Sequence, residues 1–235
     1  MISNKIRVDN NLSEDDDDVP QLSIETLKTL QEFYAETEAQ EKKINENWKL
    51  SQFWYDKRTS ETLAKEVFLN AIEKLKTSTH FNVACVSCPT LFKTLHFYLK
   101  EAKQHTEIDN FSELVNKIDI KLFEYDKRFE IYGEDFKFYD YKNPLDFDSK
   151  LEQYFDLIIS DPPYLSQECH LKTAMTIRKI AKNDLKLIVC TGAVMEDLLA
   201  ASLKLRLCSF IPRHERNLAN EFKCYANYQT FYLDN

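Results

Sequence analysis

The chain has 235 residues, 43% of them hydrophobic and 13% aromatic, which suits one large core or one domain with an appendage. Its 31 basic and 39 acidic side chains give a formal charge of −8, so composition alone advertises neither a nucleic-acid nor a membrane surface. The only two glycines, Gly133 and Gly192, stand where average usage would give about sixteen, and this shortage excludes P-loops, Gly-x-Gly-x-x-Gly turns and glycine-rich linkers.

Half of the net charge falls in residues 1–20, where Lys5 and Arg7 oppose Asp9, Glu14 and Asp15 to Asp18. That stretch has few apolar anchors and repels itself, so it reads as a disordered acidic tail. Residues 21–58 read as an N-terminal helical and aromatic extension. Leu27, Leu30, Phe33 and Tyr34 recur at helical spacing, and Trp48 to Tyr55 hold both tryptophans of the chain. In this aromatic segment Trp48, Phe53, Trp54 and Tyr55 suit either a cap on the core or a lid over a cofactor. Residues 59–235 read as the main domain, opening with a helix from Ser60 to Lys76.

The pattern then alternates. Strands are expected at Phe81–Val86, Ile118–Tyr125, Phe136–Tyr139, Tyr154–Ile159 and Leu185–Cys190. Helices are expected at Thr90–Lys103, Gln167–Ala181 and Val194–Leu203. Continuous apolar strands between amphipathic helices indicate a parallel sheet covered on both faces. The strands expected at Leu205–Ile211 and Phe222–Phe231 have no helix between them and read as an antiparallel pair. Met1 is followed by polar residues rather than an apolar leader, and no apolar run approaches about eighteen residues. The six cysteines are scattered, as reduced thiols in the cytosol or nucleus would be. A cytoplasmic protein without membrane association is the expectation. Cys85-x-x-Cys88 lacks a second metal-binding pair and starts inside a strand, so no metal site is assigned to it.

In an open α/β sheet, ligands bind beyond the carboxyl ends of the strands. Ser87 and Cys88 follow the first strand, Glu124 and Asp126 the second, Asp140 the third, and Asp161-Pro162-Pro163-Tyr164 the fourth. A carboxylate after the second strand suits a ribose diol, with Glu124 and Asp126 as alternatives. Asp140 suits the exocyclic amine of adenine. Together these acids favour an adenosine-bearing, phosphate-free, cationic ligand, which points to S-adenosylmethionine. Two prolines after Asp161 fix φ and leave backbone carbonyls free to accept from an amine. Tyr164 can stack on a base or wall in an aliphatic ammonium. The alternative, that Asp161 to Tyr164 is only a turn, does not explain the acids at the neighbouring strand ends. His170 and His214 read as surface or structural residues.

Asp161-Pro162-Pro163-Tyr164 resembles the [Asp/Asn/Ser]-Pro-Pro-[Tyr/Phe/Trp] motif of amino-methyltransferases. Further stretches extend the likeness. They include Leu30 to Tyr34, Glu46 to Tyr55, Ala84 to Ser87, Phe123 to Phe129, Tyr132 to Glu134, Phe138 to Tyr141, Cys190 to Ala193, Pro212 to His214 and Arg216 to Phe222. They span nearly everything from residue 21 to 228 and resemble the lysine methyltransferases of translation elongation factor 1-alpha, formerly described as N6-adenine-specific DNA methyltransferase-like. Cys88 departs from the small residue, such as alanine, expected there.

The resemblance implies a seven-stranded class I S-adenosylmethionine-dependent methyltransferase fold, Rossmann-like, with an N-terminal helical extension. It implies S-adenosylmethionine as cofactor and a lysine of elongation factor 1-alpha as target. The expected catalytic residues are Asp161, Pro162, Pro163 and Tyr164. The expected cofactor residues are Ser87, Cys88, Glu124, Asp126, Asp140 and Trp54. Adenine N6 in DNA or RNA is the alternative acceptor. It would require base flipping and a basic footprint, which the acidic composition disfavours. A monomer is expected.

Overall fold

The apolar runs of the sequence become the strands of one sheet, and the helical patterns become the layers that cover it. The computed structural model describes residues 39, 44–104, 109–216 and 218–234. The acidic stretch 1–20 and the helix expected around Leu27 to Tyr34 lie outside the described residues.

Strands β1 (Phe81–Val86), β2 (Ile118–Glu124), β3 (Phe136–Phe138), β4 (Phe155–Ser160) and β5 (Ala181–Gly192) run parallel. They are followed by β6 (Arg206–Leu207) and β7 (Phe222–Ala226). The sheet order is β3-β2-β1-β4-β5-β7-β6, with β7 antiparallel to both neighbours. The order in which strands are laid down therefore reverses between β1 and β4, and that switch point opens a crevice at the strand ends.

Helix α1 spans Lys57–Leu75, α2 Pro89–Gln104, α3 Asp109–Asn116, α4 Gln167–Ile180 and α5 Glu196–Leu203. The period of two along the strands divides the core. Val83, Cys85, Leu157, Ile159, Ile188 and Cys190 pack beneath α1 and α2. Ala84, Val86, Ile158, Leu187 and Val189 face the other way, against Ile177 and Ile180 of α4 and Leu199 of α5. Burial on both faces explains why β1 and β4 read as unbroken apolar runs.

The departures from sequence expectation have local causes. β7 stops at Ala226 because Asn227 imitates a strand partner, its side chain accepting from Leu187 N at 2.7 Å and donating to Leu185 O at 2.9 Å. β6 is a two-residue edge strand, ending well short of the proline at 212. α3 was not expected, although Phe111, Leu114 and Val115 carry a short helical spacing. Residues Lys127–Asp135 form tight 3-10 turns broken at Gly133, whose φ of 55° and ψ of −122° suit glycine alone. A Cβ there would touch nothing within 4 Å, so a substitution meets only backbone strain. Gly133→Ala is expected to cost about 1–3 kcal/mol, read as a lower melting temperature in calorimetry. An unchanged melting temperature would show that the turn relaxes.

Candidate active site

The strand ends meet in a cavity of about 720 Å³. Its floor is built from β1 and β4. Val86 O accepts from Asp161 N at 3.0 Å, which extends the β1–β4 ladder by one step and draws Asp161 beside Ser87 and Cys88. The motif is then held at its far end, where Ser166 caps α4 by accepting from Cys169 N at 3.3 Å. Between these fixed points Pro162 is buried, Pro163 lines the cavity, and Tyr164 stands 42% exposed at the mouth. Tyr141 lies against it with ring centroids 5.7 Å apart, so the two tyrosines form one aromatic wall. Gly192 brings β5 close to this loop, since a Cβ there would sit 2.8 Å from Leu165 Cδ1.

The first loop is shaped without glycine. Ser87 takes a φ of 56°, the left-handed region, while its N–H donates to Phe123 O at 2.8 Å. Cys88 is buried and its thiol donates to Ile159 O at 3.4 Å. Both line the cavity. Among the described residues, no group of three or more His, Cys, Asp or Glu is arranged to hold a metal ion.

The two acids after β2 separate clearly. Glu124 lines the cavity. Its Oε1 accepts from Tyr125 N and Asp126 N, each at 3.1 Å, and its Oε2 has no partner among the described residues. Asp126 does not line the cavity. Its carboxylate holds Arg128 through Nε at 2.9 Å and Nη2 at 2.6 Å, and accepts from Gln52 Nε2 at 3.5 Å. Arg128 in turn donates to Asn45 O at 3.1 Å. Asp126 is thus the base of a latch that pins residues 45–52, and of the two acids expected as alternatives for the ribose it is Glu124 that lines the cavity. Burial opposes its charge, yet the Arg128 guanidinium holds its carboxyl below the usual carboxylate range.

Trp54, expected among the cofactor residues, lies apart from the cavity. In the extended Phe53-Trp54-Tyr55 segment neighbours point to opposite sides. Phe53 and Tyr55 line the cavity, whereas Trp54 lines a separate groove with Trp48 and Arg216. The Lys93 ammonium lies 4.4 Å from the Trp54 ring centroid. The segment is tied to residues 213–215 by Asp56 N to Arg213 O and Glu215 N to Trp54 O, both 2.9 Å. This tie brings His214 into the cavity wall, between Tyr55 at 5.2 Å and Phe222 at 4.6 Å. His214 and Tyr141 are wall residues that the sequence reading did not select.

Asp140 also lines the cavity. Its carboxylate accepts from Lys142 N at 2.9 Å and Asn143 Nδ2 at 3.3 Å, which fixes the turn after β3. Three carboxyls, from Glu124, Asp140 and Asp161, therefore face one space. Burial pushes Glu124 up to about 7, and Asp126's charge adds to the shift. Burial likewise pushes Asp161 up to about 7, with the Tyr55 hydroxyl opposing and Glu124 reinforcing. Burial lowers His214 to about 4, so its imidazole is neutral near pH 7. Such a site disfavours phosphates and favours a cation that restores the carboxylates' charge.

Two basic side chains near the cavity are paired with acids. Arg216 pairs with Glu46 at 3.4 Å and stacks on Trp48, while Lys223 pairs with Glu221 at 2.5 Å. Among the described residues no helix is long and apolar enough to cross a membrane.

The strand order, the reversed seventh strand and an Asp-Pro-Pro-Tyr loop at the switch point define a class I methyltransferase fold with an amine-accepting motif. A family model described as "Probable N6-adenine methyltransferase" matches residues 46–230. The chain belongs to that family. EEF1A lysine methyltransferase 1 of Homo sapiens is 44% identical over 227 residues, covering 92% of this chain and 95% of the relative. A protein-lysine N-methyltransferase of Caenorhabditis elegans is 43% identical over 227 residues, covering 92% and 97%. One of Dictyostelium discoideum is 40% identical over 224 residues, covering 93% and 96%. Among solved structures, a TehB-like SAM-dependent methyltransferase from Corynebacterium glutamicum is 15% identical, covering 73% of this chain and 98% of its own, with a TM-score of 0.40. The fold assignment rests on the strand order rather than on that likeness.

Proposed function

We propose that this protein is an S-adenosylmethionine-dependent protein-lysine N-methyltransferase acting on translation elongation factor 1-alpha. The reading is carried by relatives matched over nearly their whole length, three of them at 40–44% identity and named for lysine methylation. The site chemistry supports it. When bound, S-adenosylmethionine supplies a methyl group on a sulfonium that leaves as a neutral thioether. Glu124, with one carboxylate oxygen open to the cavity, takes the ribose hydroxyls. Ser87 and Cys88 shape the floor, and Asp140 faces the adenine amine. Asp161 and the carbonyls beside Pro162 and Pro163 accept from the target nitrogen and hold its lone pair toward the methyl carbon, which is catalysis by orientation. Tyr164 and Tyr141 flank the aliphatic stem of the lysine.

A lysine must lose a proton before it attacks, because its ordinary pKa is near 10.4. An ionised Asp161 is placed to receive hydrogen bonds from that nitrogen and to stabilise the departing proton. The alternative acceptor, adenine N6, has only the family model's description behind it. The neutralised Arg216 and Lys223 argue against a duplex footprint. The protein is further proposed to act as a cytoplasmic monomer, with residues 1–20 as an acidic tail preceding the stretch that the family model matches.

The test uses cofactor carrying a radiolabelled methyl group with elongation factor 1-alpha, its Lys→Arg variants, DNA and RNA. Label is expected in the elongation factor and lost in one Lys→Arg variant. Label confined to nucleic acid would overturn the assignment.

A further inference from the structure

Tyr55 reaches the cavity from outside the sheet, and its hydroxyl is left over in the hydrogen-bond accounting. The side chain is 2% exposed, and among the described residues its buried hydroxyl meets no hydrogen-bond partner at full bonding geometry. A buried phenol in that state destabilises the fold unless it finds an acceptor. The ring has little freedom to find one by moving. Its backbone bridges to His214, and the next residue, Asp56, caps α1 by accepting from Thr59 N at 2.7 Å. The His214 ring lies at 5.2 Å. What the hydroxyl faces is Asp161, with the buried thiols of Cys88 and Cys190 alongside. Thiols are weak acceptors, whereas an ionised carboxylate is a strong one. Asp161 lines the same cavity wall as Tyr55, and among the described residues no other side chain acts as a hydrogen-bond donor to its carboxyl.

We propose that Tyr55 is the positioning residue for Asp161: its hydroxyl donates to one carboxylate oxygen and leaves the other aimed at the target amine. This rests on the reading of Asp161 as the amine acceptor. Only the ionised carboxylate makes this bond well, so Tyr55 favours the form that the reaction uses. The other titratable groups around Asp161 do not serve that end. Glu124, from the end of β2, repels a second negative charge. Cys88 is held protonated by burial, Cys190 is a buried thiol in β5, and His214 is neutral. Lys142 lines the cavity too, on the turn after β3.

Tyr55→Phe removes one oxygen and keeps the ring, so the fold should persist. Two readouts apply. The first is direct titration of the Asp161 carboxyl carbon by NMR in the free protein, assigned with Asp161→Asn. The midpoint is expected to rise by about one unit in Tyr55→Phe, the size of one strong hydrogen bond. This readout needs no methyl transfer, so it stands even if the lysine assignment fails. The second is the acid limb of kcat/KM for the methylated substrate, which should move up by the same amount. That predicts a loss of roughly tenfold on the acid side and less than about threefold at high pH. A purely structural role would lower activity equally at every pH and leave the limb in place. An unmoved Asp161 midpoint would overturn the proposal.

Discussion

Asp161→Ala is expected to lower methyl transfer by about 10²–10⁴-fold, the range for loss of a positioned proton acceptor, while the protein folds normally. The reason lies in what surrounds it. The Asp161 amide is fixed to β1 through Val86 O, so deleting the carboxyl removes an acceptor without releasing the loop. Asp161→Asn should retain part of the activity, because its amide oxygen still accepts from an amine. The same variants should be more stable than the parent above neutral pH. Burial raises the Asp161 carboxyl to about 7 in the fold, against about 3.9 when unfolded. The raised value means that its favourable contribution is complete below about pH 4 and is lost as pH rises through about 7. At pH 8 the parent carries an ionised carboxylate in a site that resists it. Asp161→Asn should then melt several degrees higher than the parent, and the gap should close at about pH 4. Scanning calorimetry at the two pH values checks this. A lower melting temperature at pH 8 would contradict it.

Glu124→Gln carries the second large effect. The carboxylate spends one oxygen on two backbone N–H groups and keeps the other for the cavity. The amide keeps one oxygen and presents a donor where the ribose hydroxyls need an acceptor. Binding of S-adenosylmethionine, measured by isothermal calorimetry, should weaken by about 10–100-fold, the equivalent of about 1.4–2.7 kcal/mol. Asp126→Asn is the control. Its carboxylate serves Arg128 and the 45–52 segment, so affinity should change by less than about threefold. The reverse pattern would return the ribose contact to Asp126.

These contrasts show what the sequence carries and what it hides. β1 was legible to the residue because both of its faces are buried, and an unbroken apolar run has few other readings. The Asp-Pro-Pro-Tyr loop was legible because prolines stop the strand and the switch point is set by topology. The choice between Glu124 and Asp126 was not made from sequence. The signal existed in Arg128, two residues beyond Asp126 and ready to pair with it, but proximity in sequence does not say which acid turns inward. The position of Trp54 is not legible in sequence, because an aromatic cluster looks uniform until the alternation of an extended chain sorts it into two sides. His214 was passed over for a different reason. It reaches the cavity through its bridge to Tyr55, far away in sequence, and no local pattern encodes such a contact.

The cavity is proposed to move a methyl group to a lysine of a protein. The most direct test is mass spectrometry of elongation factor 1-alpha after incubation with the enzyme and S-adenosylmethionine, with Asp161→Ala in parallel. The expected result is the added mass of one or more methyl groups on a lysine-bearing peptide, absent with the variant. An unmodified elongation factor beside newly formed N6-methyladenine in DNA or RNA would contradict it.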